Sequence, residues 1–509
     1  MAHRLSDENL RKKIKDMIPV FILYLVVLTG IVIYSAQRSK TNVDFILGGK
    51  KISGFSLALS ERATGESAWL LLGLTGHAYA EGMSAIWVAL GCVTGILFLW
   101  TFMADPLRKI TARTNALTVT GLFTRSFSGT GRNLGILVSV NIIFFFVLYI
   151  AAQFNGAGKI FNDTFHIEPF WGMVLGSGIV TLYTMLGGFI TVVATDAFQA
   201  ILMVLTCIAL PVIALFTAAT HNIEITQAVM QADFTTPLNI EKVSSATGSL
   251  LILNGLSWAF GYTGQPQLLV RMMAIRNNKE TIQGRWIAVI WTLLAYTGAF
   301  MIGIAGYHLV QNGLLGENAA RVAGDAEKIM PVLVITLLNP LLAGILLSGA
   351  VSAMMSTASS QLMVVSSAIT EDFYAEIRHH PLNEKQMILL NKILILLVGM
   401  IAFIFAITME DTVYGLVSYA WSGIGASFGP AIILLLFWKK FSRAGVFASF
   451  ITGTISTIVW KTWLTEITGV SERLASYLIT LCIAVIISLL LPEKTNNNVS
   501  ITLTPKSGN

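Results

Sequence analysis

Residues 54–78, GFSLALSERATGESAWLLLGLTGHA, form an apolar run long enough to cross a bilayer, yet its middle carries Glu61, Arg62, Thr64, Gly65, Glu66 and Ser67. Charged and hydroxyl groups at membrane depth are costly, and where they occur they mark a substrate or ion path. A helix interrupted by glycine and small hydroxyl residues frees backbone carbonyls, and such breaks coordinate cations near the midplane of transporters. The run is therefore the first candidate for an ion and solute site.

The chain of 509 residues is 55% hydrophobic and only 12% charged. A soluble domain carries roughly 25% charged residues, so the composition points to an all-α polytopic membrane protein. At about 20 residues per span, the hydropathy places thirteen spans, at 18–36, 54–78, 83–104, 133–153, 168–187, 195–219, 246–266, 286–310, 340–370, 387–408, 413–437, 444–464 and 474–492. Residues 18–492 then make a single transmembrane domain, with 1–17 as an N-terminal tail and the Asn-, Thr- and Ser-rich 493–509 as a disordered tail. The run 18–36 reads as a span rather than a cleavable leader. Residues 326–339 read as a short amphipathic helix at the outer surface.

Lys and Arg set the orientation. With the N-terminus outside and the C-terminus inside, the inner loops and tail hold 21 basic residues and the outer loops five, with Lys461 at a span edge. The tail residues Arg4, Arg11, Lys12, Lys13 and Lys15 run against this assignment and are outvoted. Arg271 and Arg276, which follow the seventh span, fit a topology role. Basic residues spread over short loops do not form the patch a nucleic-acid binder needs. Cys92, Cys207 and Cys482 fall in apolar runs without metal or disulfide spacing and read as small core residues.

A second interrupted span lies at 246–266, where Asn254, Gly255, Ser257, Gly261, Thr263, Gly264 and Pro266 crowd together. The two breaks fall in spans two and seven. That offset is what two inverted five-helix repeats, spans 2–6 and 7–11, would give, because an odd number of crossings flips the second copy. A third polar segment ends span nine. Ser356 and Ser360 share a helix face and Thr357 lies beside it. Hydroxyls together with freed carbonyls make a neutral oxygen cage, which suits sodium and lacks the carboxylates expected for calcium or magnesium.

Several ordered segments carry a resemblance: FILGGKKISG (45–54), ALS and SAWLLLGLTG within 58–76, NALTV (115–119), YTMLGGF (183–189), TDAFQA (195–200), SWAFGYTGQP (257–266), MSTASSQLMVVSSAITEDFY (355–374) and YAWSGIGASFGP (419–430). Over roughly 18–492 the chain resembles the sodium/solute symporter family, in particular its bacterial sodium/proline symporters. The resemblance implies a leucine-transporter-type fold with alternating access. It implies a sodium site from the carbonyls of Ala63, Glu66 and Ala353 and the hydroxyls of Ser356 and Thr357. It places Asp196 near the inner end of the cation path, with Ser360 on the same route, and Trp69, Tyr149, Trp258, Tyr262 and Gln265 around the solute. Aromatic faces suit a pyrrolidine ring and its ammonium.

The chain departs from the proline carriers at Gly65, where they have an acidic residue. Acids stand instead at Glu61 and Glu66, with Arg62 between them. Three readings stay open: sodium held by carbonyls and hydroxyls alone, protons replacing or joining sodium at Glu66 or Glu61, or a more polar solute met by the charged trio. The leading expectation is a sodium-coupled symporter of the bacterial inner membrane importing a small zwitterion, with L-proline first. Another amino acid, osmolyte or sugar, coupled to protons or to no sodium, is the alternative. A non-transporting solute sensor is the alternative of another class. Neither a phosphate-cradling loop nor a catalytic triad is visible, so neither ATP-driven transport nor an enzyme is expected. No organic cofactor and no obligate protein partner are expected beyond Na+, solute and lipid.

Overall fold

A computed structural model describes residues 2–50, 52–127, 131–225, 229, 234, 245–374, 382–409 and 412–493. Among them every regular element is helical, as a bilayer demands of a chain that must satisfy its backbone within each segment. In order they are α1 (Ala2–Ala36), α2 (Asn42–Leu47), α3 (Gly54–Ala68), α4 (Thr75–Glu81), α5 (Ile86–Phe98), α6 (Ala104–Thr114), α7 (Val119–Ser126), α8 (Gly131–Phe165), α9 (Pro169–Thr220), α10 (Ser245–Leu256), α11 (Trp258–Tyr262), α12 (Pro266–Ala274), α13 (Asn278–Gln311), α14 (Ala319–Gly324), α15 (Ile329–Leu337), α16 (Pro340–Ser367), α17 (Glu384–Thr408), α18 (Val413–Phe437), α19 (Arg443–Val459), α20 (Thr465–Thr468) and α21 (Glu472–Leu490).

Ten helical runs among the described residues are long and apolar enough to cross a membrane. Two of them, Gly54–Thr114 and Pro169–Thr220, have 61 and 52 residues, more than twice the length one crossing needs. They contain backbone reversals at Gly82 (φ 64°) and Gly188 (φ 62°), a region that favours glycine. A Cβ at Gly188 would also stand 2.7 Å from the Phe45 carbonyl oxygen. The sequence placed a gap at 188–194, but helix resumes at once after Gly188, because a single glycine suffices for the turn. The broken helix α10–α12 adds a stretch in which no piece is long enough to cross alone.

Many long helices open on a polar cap. Ser53, Asn277, Asn339, Asn383, Thr412, Ser442 and Ser471 each accept a hydrogen bond from a first-turn N–H, satisfying donors that a helix start leaves free. At the centre α16 packs on α3, α8 and α9, and its residues 346–367 are buried without interruption. Large apolar side chains such as Leu182, Leu186, Val212 and Phe216 cover the outside, as a lipid-facing surface requires.

Two expectations need correction. The helix expected as amphipathic at the outer surface is α15, and its residues 329–335 are all buried. It wedges against α4, α8, α9, α13 and α16, so an all-round apolar sequence is what its position needs. Cys92 and Cys207 are buried, but Cys482 is exposed, on a face of α21 where lipid takes the place of a protein core. The tail 494–509 lies outside the described residues.

Candidate ion and solute site

The first break falls at Ser67, whose backbone turns to φ 54°, ψ −171°. Beyond it, Ala68 N–H donates to Gln153 Oε1 (3.0 Å) and Trp69 N–H donates to Ser67 Oγ (3.1 Å). Upstream, Ser356 Oγ donates to the Ala63 carbonyl (3.0 Å) and Thr357 Oγ1 to the Thr64 carbonyl (2.9 Å). Both hydroxyls also reach the Ala353 carbonyl, at 3.1 and 3.2 Å. The carbonyl of Glu66 stays within the helical turn and accepts from Trp69 N–H. The structure thus gathers Ala63, Thr64, Ala353, Ser356 and Thr357 into one neutral oxygen cluster. Uncharged hard donors of this kind fit a monovalent cation better than a divalent one.

Asp196 lies next to this cluster. Its Oδ2 accepts from Ser60 Oγ (2.7 Å), Arg271 Nη2 (2.9 Å), Thr64 Oγ1 (3.0 Å) and Ser360 Oγ (3.4 Å). Thr64 and Ser360 also bond each other at 2.9 Å. Arg271, expected to be a topology signal, is buried instead. Its Nε reaches Ser60 Oγ (3.0 Å) and its Nη1 the Gln267 carbonyl (2.6 Å). A cavity lined by Thr118, Thr120, Phe189, Val270 and Ser367 reaches Arg271 and Ser360. Arg271 sits on α12, every residue of which is buried. That wholly buried neighbourhood separates it from Arg276 and was not visible in the local sequence.

The charged trio forms one network. Arg62 Nε donates to Glu61 Oε2 (2.7 Å), Nη2 to Glu61 Oε1, and Nη1 to Glu66 Oε1 (2.6 Å) and Thr292 Oγ1 (3.3 Å). Trp100 Nε1 donates to Glu61 Oε2 (2.9 Å), while the hydroxyls of Tyr296 and Tyr262 donate to Glu66 Oε2. All three charged side chains are fully buried. A Cβ on Gly65 would stand 3.3 Å from Leu268 Cδ2, which would have to give slightly, and in ordinary contact with Arg62 Nη2 at 3.5 Å.

The second break lies between α11 and α12. Pro266 opens α12, and Gln265 Nε2 donates to the Trp421 carbonyl (3.2 Å). A Cβ on Gly261 would fall on the Trp421 indole, which explains a glycine there. Trp69 and Trp258 pack with ring centres 4.4 Å apart, Tyr262 and Trp421 at 4.7 Å, Trp69 and Tyr296 at 6.1 Å, and Tyr149 and Trp421 at 6.4 Å. The expected aromatic residues, drawn from three helical segments, are therefore brought together, with Trp421 of α18 between them. Trp69, Tyr149, Trp258 and Tyr262 are all 2% exposed or less, so the cage is closed. Trp421, Tyr296 and Tyr414 join it without having been singled out. The segment 419–430 carried the signal for Trp421, but nothing in the apolar α13 marked Tyr296.

The profile of the sodium:solute symporter family matches residues 45–453. The chain is 35% identical over 454 residues to a sodium/proline symporter of Escherichia coli (strain K12), covering 87% of this chain and 88% of that protein. It is 31% identical over 472 residues to the osmoregulated proline transporter OpuE of Bacillus subtilis (strain 168), covering 92% and 93%. Among solved structures, a Na+-coupled sialic acid symporter in a substrate-bound outward-open state aligns with a TM-score of 0.77 at 20% identity, over 94% of this chain and 99% of that one. A nucleobase-cation-symport-1 family transporter in a closed conformation aligns with a TM-score of 0.51 at 11% identity, over 89% and 94%. These likenesses establish the leucine-transporter-type fold. By the extent of the family match and the identity to its members, the chain belongs to the sodium:solute symporter family.

Proposed function

We propose that this integral membrane protein uses the sodium gradient to import L-proline across a bacterial inner membrane, in thirteen crossings with the N-terminus outside and the C-terminus inside. The observation that carries the reading is the pairing of Ser356 and Thr357 with the carbonyls of Ala63 and Thr64, a few residues before Trp69. Sodium bound among these oxygens, with the Ala353 carbonyl and Glu66 at the same break, would tie α3 to α16. That tie fixes the backbone at Ser67 and so sets the Trp69 ring against Trp258. Ion and solute then strengthen each other's binding because each favours the same arrangement of one broken helix.

The solute ring lies among Trp69, Tyr149, Trp258 and Tyr262, with Gln265 shaping the second break. Thr64, Ser360 and Asp196 offer the ion a continuous oxygen path toward the cavity at Arg271. One charge moving down 100 mV supplies about 2.3 kcal/mol, roughly a 50-fold accumulation before any chemical gradient. The buried trio Glu61–Arg62–Glu66 has one carboxylate more than it has cations, which favours a second reading in which a proton joins sodium.

Uptake into proteoliposomes, with sodium and proton gradients imposed separately against amino acids, osmolytes and sugars, tests both readings. Proline uptake driven by sodium alone supports the proposal. Uptake driven only by a proton gradient, or a preference for a sugar, refutes it.

A further inference from the structure

We propose that Arg473, on the last helix, reads the carboxylate of the solute and latches the aromatic cage. This rests on the zwitterion reading above. The first turn of α21 is clamped to the second broken helix. Asn254 Nδ2 donates to the Gly469 carbonyl (2.8 Å), Ser471 N–H donates to Asn254 Oδ1 (2.8 Å), and Ser471 and Ser257 share a hydroxyl contact (3.2 Å). One turn further on, Tyr477 stacks on Phe260 (4.6 Å) and its hydroxyl meets Thr263 Oγ1 (3.0 Å). These contacts hold α21 along α11 on the side of the break opposite to Arg271.

The clamp delivers the Arg473 guanidinium to the face of Trp258, 4.5 Å from the ring centre. Its Nη1 donates to Ser418 Oγ and lies 3.5 Å from Glu472 Oε1. Its buried Nε has no acceptor among the described residues, and neither has the indole Nε1 of Trp69, Trp258 or Trp421. Buried N–H donors are normally satisfied. Four of them line one closed cage, and a bound acceptor would satisfy those it reaches. A zwitterion brings a carboxylate, the acceptor with which a guanidinium makes its strongest hydrogen bonds. Glu472, steadied by Ser418 (3.3 Å) and Ser422 (3.1 Å), is the counter-charge that holds Arg473 until the solute arrives. Recognition would then depend on a helix outside the two five-helix repeats, and the solute's carboxylate would tie that helix to the cage.

The test compares L-proline with L-prolinamide, which has the ring and the amine but no carboxylate, as competitors in sodium-dependent binding to purified transporter in nanodiscs. In the wild-type protein proline should bind at least about tenfold more tightly than the amide. Arg473→Gln should weaken proline by about 10- to 100-fold, leave prolinamide within about twofold, and leave sodium binding without solute within about twofold. Arg473→Lys should fall between. Equal losses for both competitors, no loss for proline, or loss of sodium binding each overturn the proposal.

Glu472→Gln provides a second arm should Arg473→Gln not fold. Freed from its internal partner, Arg473 should bind proline a few-fold more tightly, and unchanged affinity overturns the proposal. A wild-type protein that ignores proline but binds another carboxylate-bearing solute refutes only the solute named above, and the acid–amide comparison is then made with that solute. One that binds only solutes without a carboxylate overturns both.

Discussion

Ser356 donates its hydroxyl to the backbone carbonyl of Ala63 across 3.0 Å, joining residues 293 positions apart at the point where α3 is about to break. Thr357 repeats the contact one residue along, at the Thr64 carbonyl. The two bonds tether the buried stretch of α16 to the upstream half of a broken helix, and they carry the first prediction.

Replacing Ser356 and Thr357 together by Ala removes two neutral oxygen ligands and the tether. The sodium concentration for half-maximal uptake is expected to rise at least about tenfold, on the scale of two lost hydrogen-bonding groups. Sodium titration of proline uptake checks this. An unchanged midpoint would show that the hydroxyls do not touch the ion.

Arg62 sits between Glu61 and Glu66, all fully buried. Arg62→Leu leaves two uncompensated carboxylates and should cost about 3–5 kcal/mol, the usual penalty for breaking a buried pair from one side. Glu66→Gln instead leaves Glu61 and Arg62 paired and should be far milder. Thermal unfolding in detergent ranks the two variants. A Glu66→Gln protein less stable than Arg62→Leu would contradict the charge argument.

Asp196 and Arg271 allow the same reasoning with a double-mutant cycle. Arg271→Met alone strands Asp196 and should destabilise by about 3–5 kcal/mol. Adding Asp196→Leu should recover most of that stability but not uptake, because the oxygen that gathers Ser60, Thr64 and Ser360 is gone. Recovery of sodium-driven uptake in the double variant would remove Asp196 from the ion path.

Trp258 touches Trp69 and lies under Arg473. Trp258→Phe keeps a ring in the cage but loses the indole N–H, and should weaken proline binding by roughly 5- to 10-fold, about one hydrogen bond's worth. Trp258→Ala should weaken it further. Binding measured per folded protein separates this from a loss of expression. Equal loss of binding and of folded protein would reduce Trp258 to packing.

Much of this molecule is written locally. Apolar runs of bilayer length, polar caps such as Ser53 and Asn339, and glycine- and hydroxyl-rich breaks near Ser67 and Gly264 are short-range signals. A membrane core with no water leaves a chain bearing them little choice but a bundle with two interrupted helices. The likeness of motifs further placed Trp69, Trp258, Ser356 and Thr357 near one another, and the fold brings those residues together.

Pairings between distant segments were not legible in the same way. Arg271 read as a loop charge until burial on α12 showed Asp196 as its partner, and Tyr296 was one aromatic residue in an apolar run until its hydroxyl met Glu66. The carbonyl that meets Thr357 is that of Thr64, which the motif likeness had not named. The sequence alone determined where backbone groups are freed and where charges enter the membrane. Only the tertiary structure decided which groups compensate them, because a buried charge or donor is satisfied by whatever the packed helices bring within hydrogen-bonding distance, however far away in the chain it lies.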